Sequence, residues 1–307
     1  MHGYGVTVMD ALARPGGMLI GGIPSFRLPR HIIDHDVGVI RSLGVEFIPL
    51  VRIGEELSLK EVRSDGVDAV VLATGTWKDL TLDVPGEGVT GYIKCLDFLG
   101  ALNAGQAVSL SGKVLVVGGG NAAVDAARSA LRVGAKQVIV VYRRGREEMP
   151  ASQEEVESAL EEGVELRYLV APKRVVHEHG KVKGLELMRM ELGDIDETGR
   201  GRPMPVEGSE FIEAGDYVIP AIGQRSEPFF LKEESISEQG MIRCNENGQV
   251  TGCEGVFAAG DAVSGPSTVV EAIASGKAVA RQVMNYLDSL GVSFLDADPP
   301  AIATLRH

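Results

Sequence analysis

The stretch that most constrains this chain is residues 113–144, KVLVVGGGNAAVDAARSALRVGAKQVIVVYRR. Val114 to Val117 form a short β-branched apolar run, the pattern of a parallel strand buried on both faces. Gly118, Gly120 and Ala123 then fall in G-x-G-x-x-A spacing. Each residue type has a physical reason: Gly118 permits the tight turn, Gly120 lets backbone approach a pyrophosphate, and Ala123 lets a helix pack closely on the sheet. The spacing predicts a helix over 121–131. Its free N–H groups, at Asn121 and Ala122, and the positive end of its dipole would face the phosphates. A second strand over 137–142 completes a βαβ unit, and this context favours dinucleotide binding over a bare packing turn.

The end of that second strand bears on which dinucleotide. A carboxylate there would hydrogen-bond a ribose 2′-hydroxyl, but the chain reads Tyr142-Arg143-Arg144-Gly145-Arg146. Guanidiniums at this corner suit a 2′-phosphate, which they grip bidentately, so NADP(H) is expected over NAD(H). The chain is otherwise acidic, with a net charge of −13, which makes a chance basic edge a weaker reading and argues against a nucleic-acid surface. At 307 residues it is long enough for two domains. No apolar run reaches membrane-spanning length, so no membrane insertion is expected, and no signal sequence is recognised. Cys95, Cys244 and Cys253 are scattered with no C-x-x-C, the pattern of a reduced, cytoplasmic protein with neither a disulfide framework nor a metal site. His31 and His35 sit one helical turn apart but lack a third ligand and read as a solvated face.

Residues 5–10 read as a strand ending in a carboxylate, the usual second strand of a Rossmann unit, with Asp10 placed to hold a ribose diol. The first strand and glycine turn of that unit, expected about 20 residues earlier, have no counterpart. The chain is therefore read as N-terminally truncated. Further along, 30–43 reads as a helix with Ile32, Ile33, Val37 and Ile40 on its apolar face, and 68–75 as a strand. Ser152 with Glu155, and Thr268 with Glu271, have the spacing of capping boxes. Ala272, Ile273, Gly276, Ala280, Val283 and Leu287 mark the apolar stripe of the last helix.

The segment VTVMDALARPGGMLIGGIPSFRLPR resembles the flavin domain of the glutamate synthase small (β) subunit family of NAD(P)H-dependent FAD oxidoreductases. Further matches are Ala73-Thr74-Gly75, the Arg-Arg…Met-Pro-Ala pattern ending at Ala151, the run 196–203 (DETGRGRP), and Gly260-Asp261. The resemblance implies that Asp10 binds the adenosine ribose of FAD and that Gly16, Gly17 and Ile23 run along the cofactor. It also implies that Arg27 lies near the flavin, that Val51 makes a backbone contact to adenine, and that Thr74 and Gly75 turn beneath the FAD. Gly223 marks the equivalent turn of the NADP(H) domain. Asp261 would hydrogen-bond the ribitol chain, and the helix starting at Thr268 and Val269 would aim its dipole at the flavin C2 carbonyl. Arg200 and Arg202, in the run 196–203, are read as an exposed hairpin tip.

The expected fold is α/β with two Rossmann-like dinucleotide-binding domains. An NADP(H) domain (105–225) is inserted into an FAD domain (1–104 and 226–307) that lacks its first strand and glycine turn. The resemblance implies hydride transfer from NADPH to FAD, with electrons passing on to a partner subunit or iron–sulfur protein. That chemistry needs stacking and no side-chain acid or nucleophile, so no catalytic residue or metal is assigned. The alternatives are a ferredoxin–NADP reductase of the adrenodoxin-reductase type, or a flavin-free NADP(H)-binding structural or sensory subunit.

Overall fold

The computed structural model describes residues 3–64 and 66–292. In chain order they form β1 (Thr7–Asp10), α1 (Met18–Gly21), α2 (Arg30–Ser42), β2 (Glu46–Pro49), α3 (Leu59–Ser64), β3 (Val70–Leu72), β4 (Lys78–Asp79) and α4 (Cys95–Asn103). Next come β5 (Gly112–Val117), α5 (Asn121–Arg132), β6 (Ala135–Val141), α6 (Gln153–Glu161), β7 (Glu165–Arg167), β8 (Val170–Glu178), β9 (Lys181–Ile195) and β10 (Gly201–Pro205). The chain closes with β11 (Phe211–Ala214), β12 (Tyr217–Pro220), β13 (Gln224–Arg225), β14 (Val256–Ala258), α7 (Asp261–Ser264) and α8 (Val269–Ser289). The described residues divide into two compact units, one of residues 3–20, 29–78 (without 65) and 224–292, the other of 21–28 and 79–223.

The second unit is built on a parallel sheet of order β12-β5-β6-β7. Alternation along its central strands sends side chains to two cores. Val114, Val116, Val138 and Val140 meet the helices, with Cys95, Phe98 and Leu99 of α4 and the small residues Ala123, Ala126, Ala127 and Ala130 of α5. Leu115, Val117, Ile139 and Val141 face the opposite way, onto Val175, Val182, Leu185 and Leu187 of the antiparallel β8–β9 pair. The sequence places the boundary of this unit at 105, yet it begins at Asp79. The physical reason is α4: its apolar face completes the helix-side core, and Asp79 Oδ2 accepts the Leu96 N–H at 2.8 Å near the helix start.

Residues 21–28 also pack with this unit and not with the segments that flank them in sequence. Asn103 Nδ2 donates to the carbonyls of Gly21 (3.0 Å) and Ile23 (3.2 Å). The Phe26 ring lies against the guanidiniums of Arg132 and Arg128 at 3.9 and 4.9 Å. A second departure concerns Ser152, which precedes α6 but makes no side-chain cap. Glu155, its expected partner, is taken by Arg27 and Arg128, and paired guanidiniums outcompete a solvent-exposed reciprocal cap. The box at Thr268 and Glu271 does form, and an unanticipated one joins Ser58 and Glu61 at the start of α3.

The first unit has a different problem. β1 pairs only with β2, and β3 only with β14, each in parallel; among the described residues no ladder joins the two pairs. Residues 68–75 form a strand only over Val70–Leu72, and Val71 is 45% exposed, unlike a central parallel strand. Val8 on β1 is also exposed, and of the expected apolar face of α2 only Ile33 is buried. The core that does form sits around β14. Leu72, Val256 and Ala258 pack with Ile242 and Val250, while Phe257 and Ala259 meet Val279 of α8. Ile273, expected on the α8 stripe, is exposed; Val279 and Leu287 carry the packing. Among the described residues no helix is long and apolar enough to cross a membrane.

Candidate functional site

In the second unit the glycine turn joins β5 to α5. Gly118 has φ 147°, and a side-chain carbon there would stand 2.2 Å from the Ala221 carbonyl oxygen at the end of β12. A side-chain carbon on Gly119 would stand 2.4 Å from the Tyr142 ring. Only glycine fits either place. Gly120 is the N-cap of α5 and has no side chain to cover the helix start, so the Asn121 and Ala122 N–H groups stay open to an anion. The Asn121 side chain is not free: its Oδ1 accepts the Ser152 N–H at 3.1 Å. Ala123 is fully buried against the sheet, and Gly223 lies beyond the end of β12, its carbonyl accepting the Leu80 N–H at 3.0 Å. An uncapped helix start under a three-glycine turn fits a dinucleotide pyrophosphate.

The arginines that follow β6 separate. Arg143 is exposed, but Arg144 is 6% exposed and already engaged. Its Nη2 donates to Asp196 Oδ2 at 2.5 Å and its Nε to the Gly201 carbonyl at 2.9 Å. The expectation that Arg144 itself grips a 2′-phosphate therefore meets a guanidinium spent inside the protein. Arg27 is likewise engaged, donating to Asp125 Oδ2 at 2.6 Å and reaching Glu155 at 3.3 Å. Arg27 and Ile23 thus sit on the second unit, where the sequence had grouped them with the FAD segments. Asp125, which the sequence did not single out, is nearly enclosed, and its Oδ1 has no hydrogen-bond partner. Burial pushes its carboxyl up to about 6, outweighing the pull of Arg27. The signal was an Asp among the alanines of an otherwise apolar helix face.

In the first unit, Asp10 ends β1 with its Oδ1 accepting the Leu12 N–H at 2.9 Å. Burial raises its carboxyl above the ordinary value, against that hydrogen bond. A small depression of about 20 Å³ lies beside it, lined by Val8, Ala13, Pro15, Arg41 and Phe47. The Val51 N–H donates to the Asp10 carbonyl at 3.0 Å, which leaves only the Val51 carbonyl for a ligand. Gly16 and Gly17 have positive φ and lead into α1. Thr74 and Gly75 leave β3, and Asp261 leaves the paired strand β14, so the two turns emerge at the same end of one ladder. Ser267 Oγ donates to Asp261 Oδ1 at 3.0 Å and Ser275 Oγ accepts the Gly260 N–H at 2.9 Å, tying this turn to α8. Thr268 caps α8, with Val269 as its first residue. The Asp261 turn and the capped start of α8 are thus held together, while Asp10 lies on the separate β1–β2 pair. Among the described residues of this unit no G-x-G-x-x-G/A turn carries a strand into a helix, the feature that would hold the FAD pyrophosphate.

Residues 17–276 match the profile of the pyridine nucleotide-disulphide oxidoreductase family. The chain belongs to that family. Its three cysteines are free thiols in the structure, and burial pushes the Cys95 thiol up, away from a poised thiolate. It is 45% identical over 290 residues to the NADP(+)-dependent formate dehydrogenase subunit beta of Moorella thermoacetica, covering 93% of this chain and 41% of that one. It is 37% identical over 300 residues to the glutamate synthase [NADPH] small chain of Azospirillum brasilense, covering 92% of this chain and 62% of that one. The chain thus spans about half the length of these curated relatives. The solved structure of Mycobacterium tuberculosis FprA in complex with NADPH shares the fold, with a TM-score of 0.79 at 22% identity, over 96% of this chain and 80% of that one.

Proposed function

We propose that this chain is the NADPH-oxidising, FAD-bearing portion of a cytoplasmic electron-transfer enzyme, passing electrons to a partner subunit or iron–sulfur protein. The observation that carries this reading is the glycine turn at the uncapped start of α5, with Gly118 and Gly119 closed against Ala221 and Tyr142. FAD, when bound, supplies the hydride-accepting and electron-releasing chemistry. The chain's own residues bind and orient. Asn121 and Ala122 offer N–H groups to the NADPH pyrophosphate, Asp10 and Asp261 offer carboxylates to the FAD ribose and ribitol, and α8 offers its N-terminus to the flavin ring. Two relatives carry NADP(+) or NADPH in their names, and both are named as one subunit or chain of an enzyme, which supports a nicotinamide donor and a partner acceptor.

The unjoined pairs β1–β2 and β3–β14 support a further element of this reading: full flavin affinity needs a parallel strand and glycine turn between them. Two preparations test it, these residues alone and the same residues preceded by a βα unit carrying G-x-G-x-x-G. The first is expected to bind NADP(H) and retain little FAD; the second is expected to purify yellow and oxidise NADPH. Failure of both to bind NADP(H) would overturn the function. A tightly flavinated, NADPH-oxidising preparation of these residues alone would overturn the need for the added unit.

A further inference from the structure

Arg144, spent inside the protein, leads to a second feature of the nucleotide unit. Its two acceptors, Asp196 and the Gly201 carbonyl, both belong to the tip of the β9–β10 hairpin. The tip is itself ordered around Asp196. Oδ1 of that carboxylate accepts from the Thr198 N–H (2.9 Å), the Thr198 hydroxyl (2.5 Å) and the Arg200 N–H (3.4 Å), while the Asp196 N–H donates to the Arg200 carbonyl at 2.8 Å. These bonds, the Thr198 hydroxyl first, hold the Asp196 carboxyl down to about 2, so it stays ionised for Arg144 at every working pH. The hairpin tip and the loop after β6 are therefore one latched structure.

The latch places Arg200 next to the residue that Arg144 grips, and Arg144 is itself next to Arg143 in sequence. Arg200 Nε donates to Thr198 Oγ1 at 2.9 Å, which steadies the guanidinium while leaving its two terminal nitrogens available. Among the described residues neither Arg143 nor Arg200 has a carboxylate partner, although most cations of this unit are paired. In a chain of net charge −13, the latch leaves two guanidiniums without a carboxylate partner, one on the loop after β6 and one on the hairpin tip bound to that loop, a pair suited to an anion.

We propose that Arg200, carried on the hairpin tip, joins Arg143 as a specificity-determining cation for the 2′-phosphate of NADP(H), and that Arg144 is a positioning residue acting through Asp196 and Gly201. The proposal rests on the reading of this unit as the NADP(H) site. It also explains why Arg144 is buried at the corner where the sequence expects a ligand contact: it binds the hairpin that brings the ligand contact.

Calorimetric titration with 2′,5′-ADP and with 5′-AMP tests this without depending on flavin. Arg200→Gln and Arg143→Gln are each expected to weaken 2′,5′-ADP roughly tenfold or more while leaving 5′-AMP unchanged. Asp196→Asn separates the latch from simple charge. Removing a negative charge near a bound phosphate would by itself tighten 2′,5′-ADP, whereas loss of the latch weakens it; weakening is expected, with 5′-AMP again unchanged. Arg174→Gln, which removes an exposed cation paired with Glu186 on β9, serves as the charge-matched control and is expected to change neither affinity. Unchanged selectivity in Arg200→Gln, or tighter 2′,5′-ADP binding in Asp196→Asn, overturns the hairpin's role while leaving the nucleotide site standing. Absence of binding of either nucleotide to the unaltered protein overturns the site and the proposal together.

Discussion

Replacing Asp125 with Asn should flatten the pH dependence of stability between about pH 4 and pH 6. The Asp125 side chain is 4% exposed, with Arg27 on Oδ2 and nothing on Oδ1. Desolvation is the largest influence on it, and the carboxyl stands at about 6 against an ordinary 3.8. The folded protein thus holds this proton more tightly than the unfolded chain. The resulting contribution favours folding below pH ~4 and is lost as pH rises through about 6. A displacement of about 2 units at 1.36 kcal/mol each makes this on the order of 3 kcal/mol. Asp79, raised by burial to about 6, titrates in the same window, so Asp125→Asn should remove part of the slope and Asp79→Asn/Asp125→Asn more of it, with Asp10, also raised by burial, contributing in the same direction. Glu162 acts the other way and lower down: Arg132 and Arg128 hold it at about 2, and its contribution is lost as pH falls from 4.5 through that value. Urea unfolding followed by circular dichroism at steps from pH 4 to pH 8 measures the slopes. Arg27→Gln supplies the converse, because it strands a buried carboxylate. It should cost about 3–5 kcal/mol at pH 8 and much less at pH 5, where Asp125 is protonated. Parallel stability curves for the unaltered protein and Asp125→Asn would refute the reasoning.

Two further outcomes follow from single residues. Gly118→Ala should abolish NADP(H) binding and lower the melting temperature, because the new carbon falls 2.2 Å from the Ala221 oxygen at a φ of 147°; normal binding by calorimetry would count against the turn geometry. Asp261→Ala should weaken FAD retention roughly tenfold or more in a flavin-competent form while leaving NADP(H) binding intact, since Asp261 and the glycine turn lie in different compact units; parallel loss of both would indicate unfolding.

The β5-α5-β6 unit was legible from sequence because its determinants are local. The glycine spacing, the β-branched run before it and the alanine-rich helix after it all concern residues close in the chain, and α5 over Asn121–Arg132 nearly matches the expected 121–131. The Thr268–Glu271 cap was legible for the same reason. What the sequence could not decide was competition between distant partners. Glu155 has the spacing of a cap, yet Arg27 and Arg128, 128 and 27 residues away, engage it more strongly. Arg144 has the position of a phosphate ligand, yet Asp196, 52 residues on, occupies it. Residues 21–28 resemble a flavin-side loop, yet Asn103, Asp125 and the arginines of α5 bind them to the nucleotide unit. Each reversal puts a charged or amide group against a partner brought near only by folding. Charge-assisted contacts of this kind, partly withdrawn from water, are stronger than the exposed local alternatives they displace.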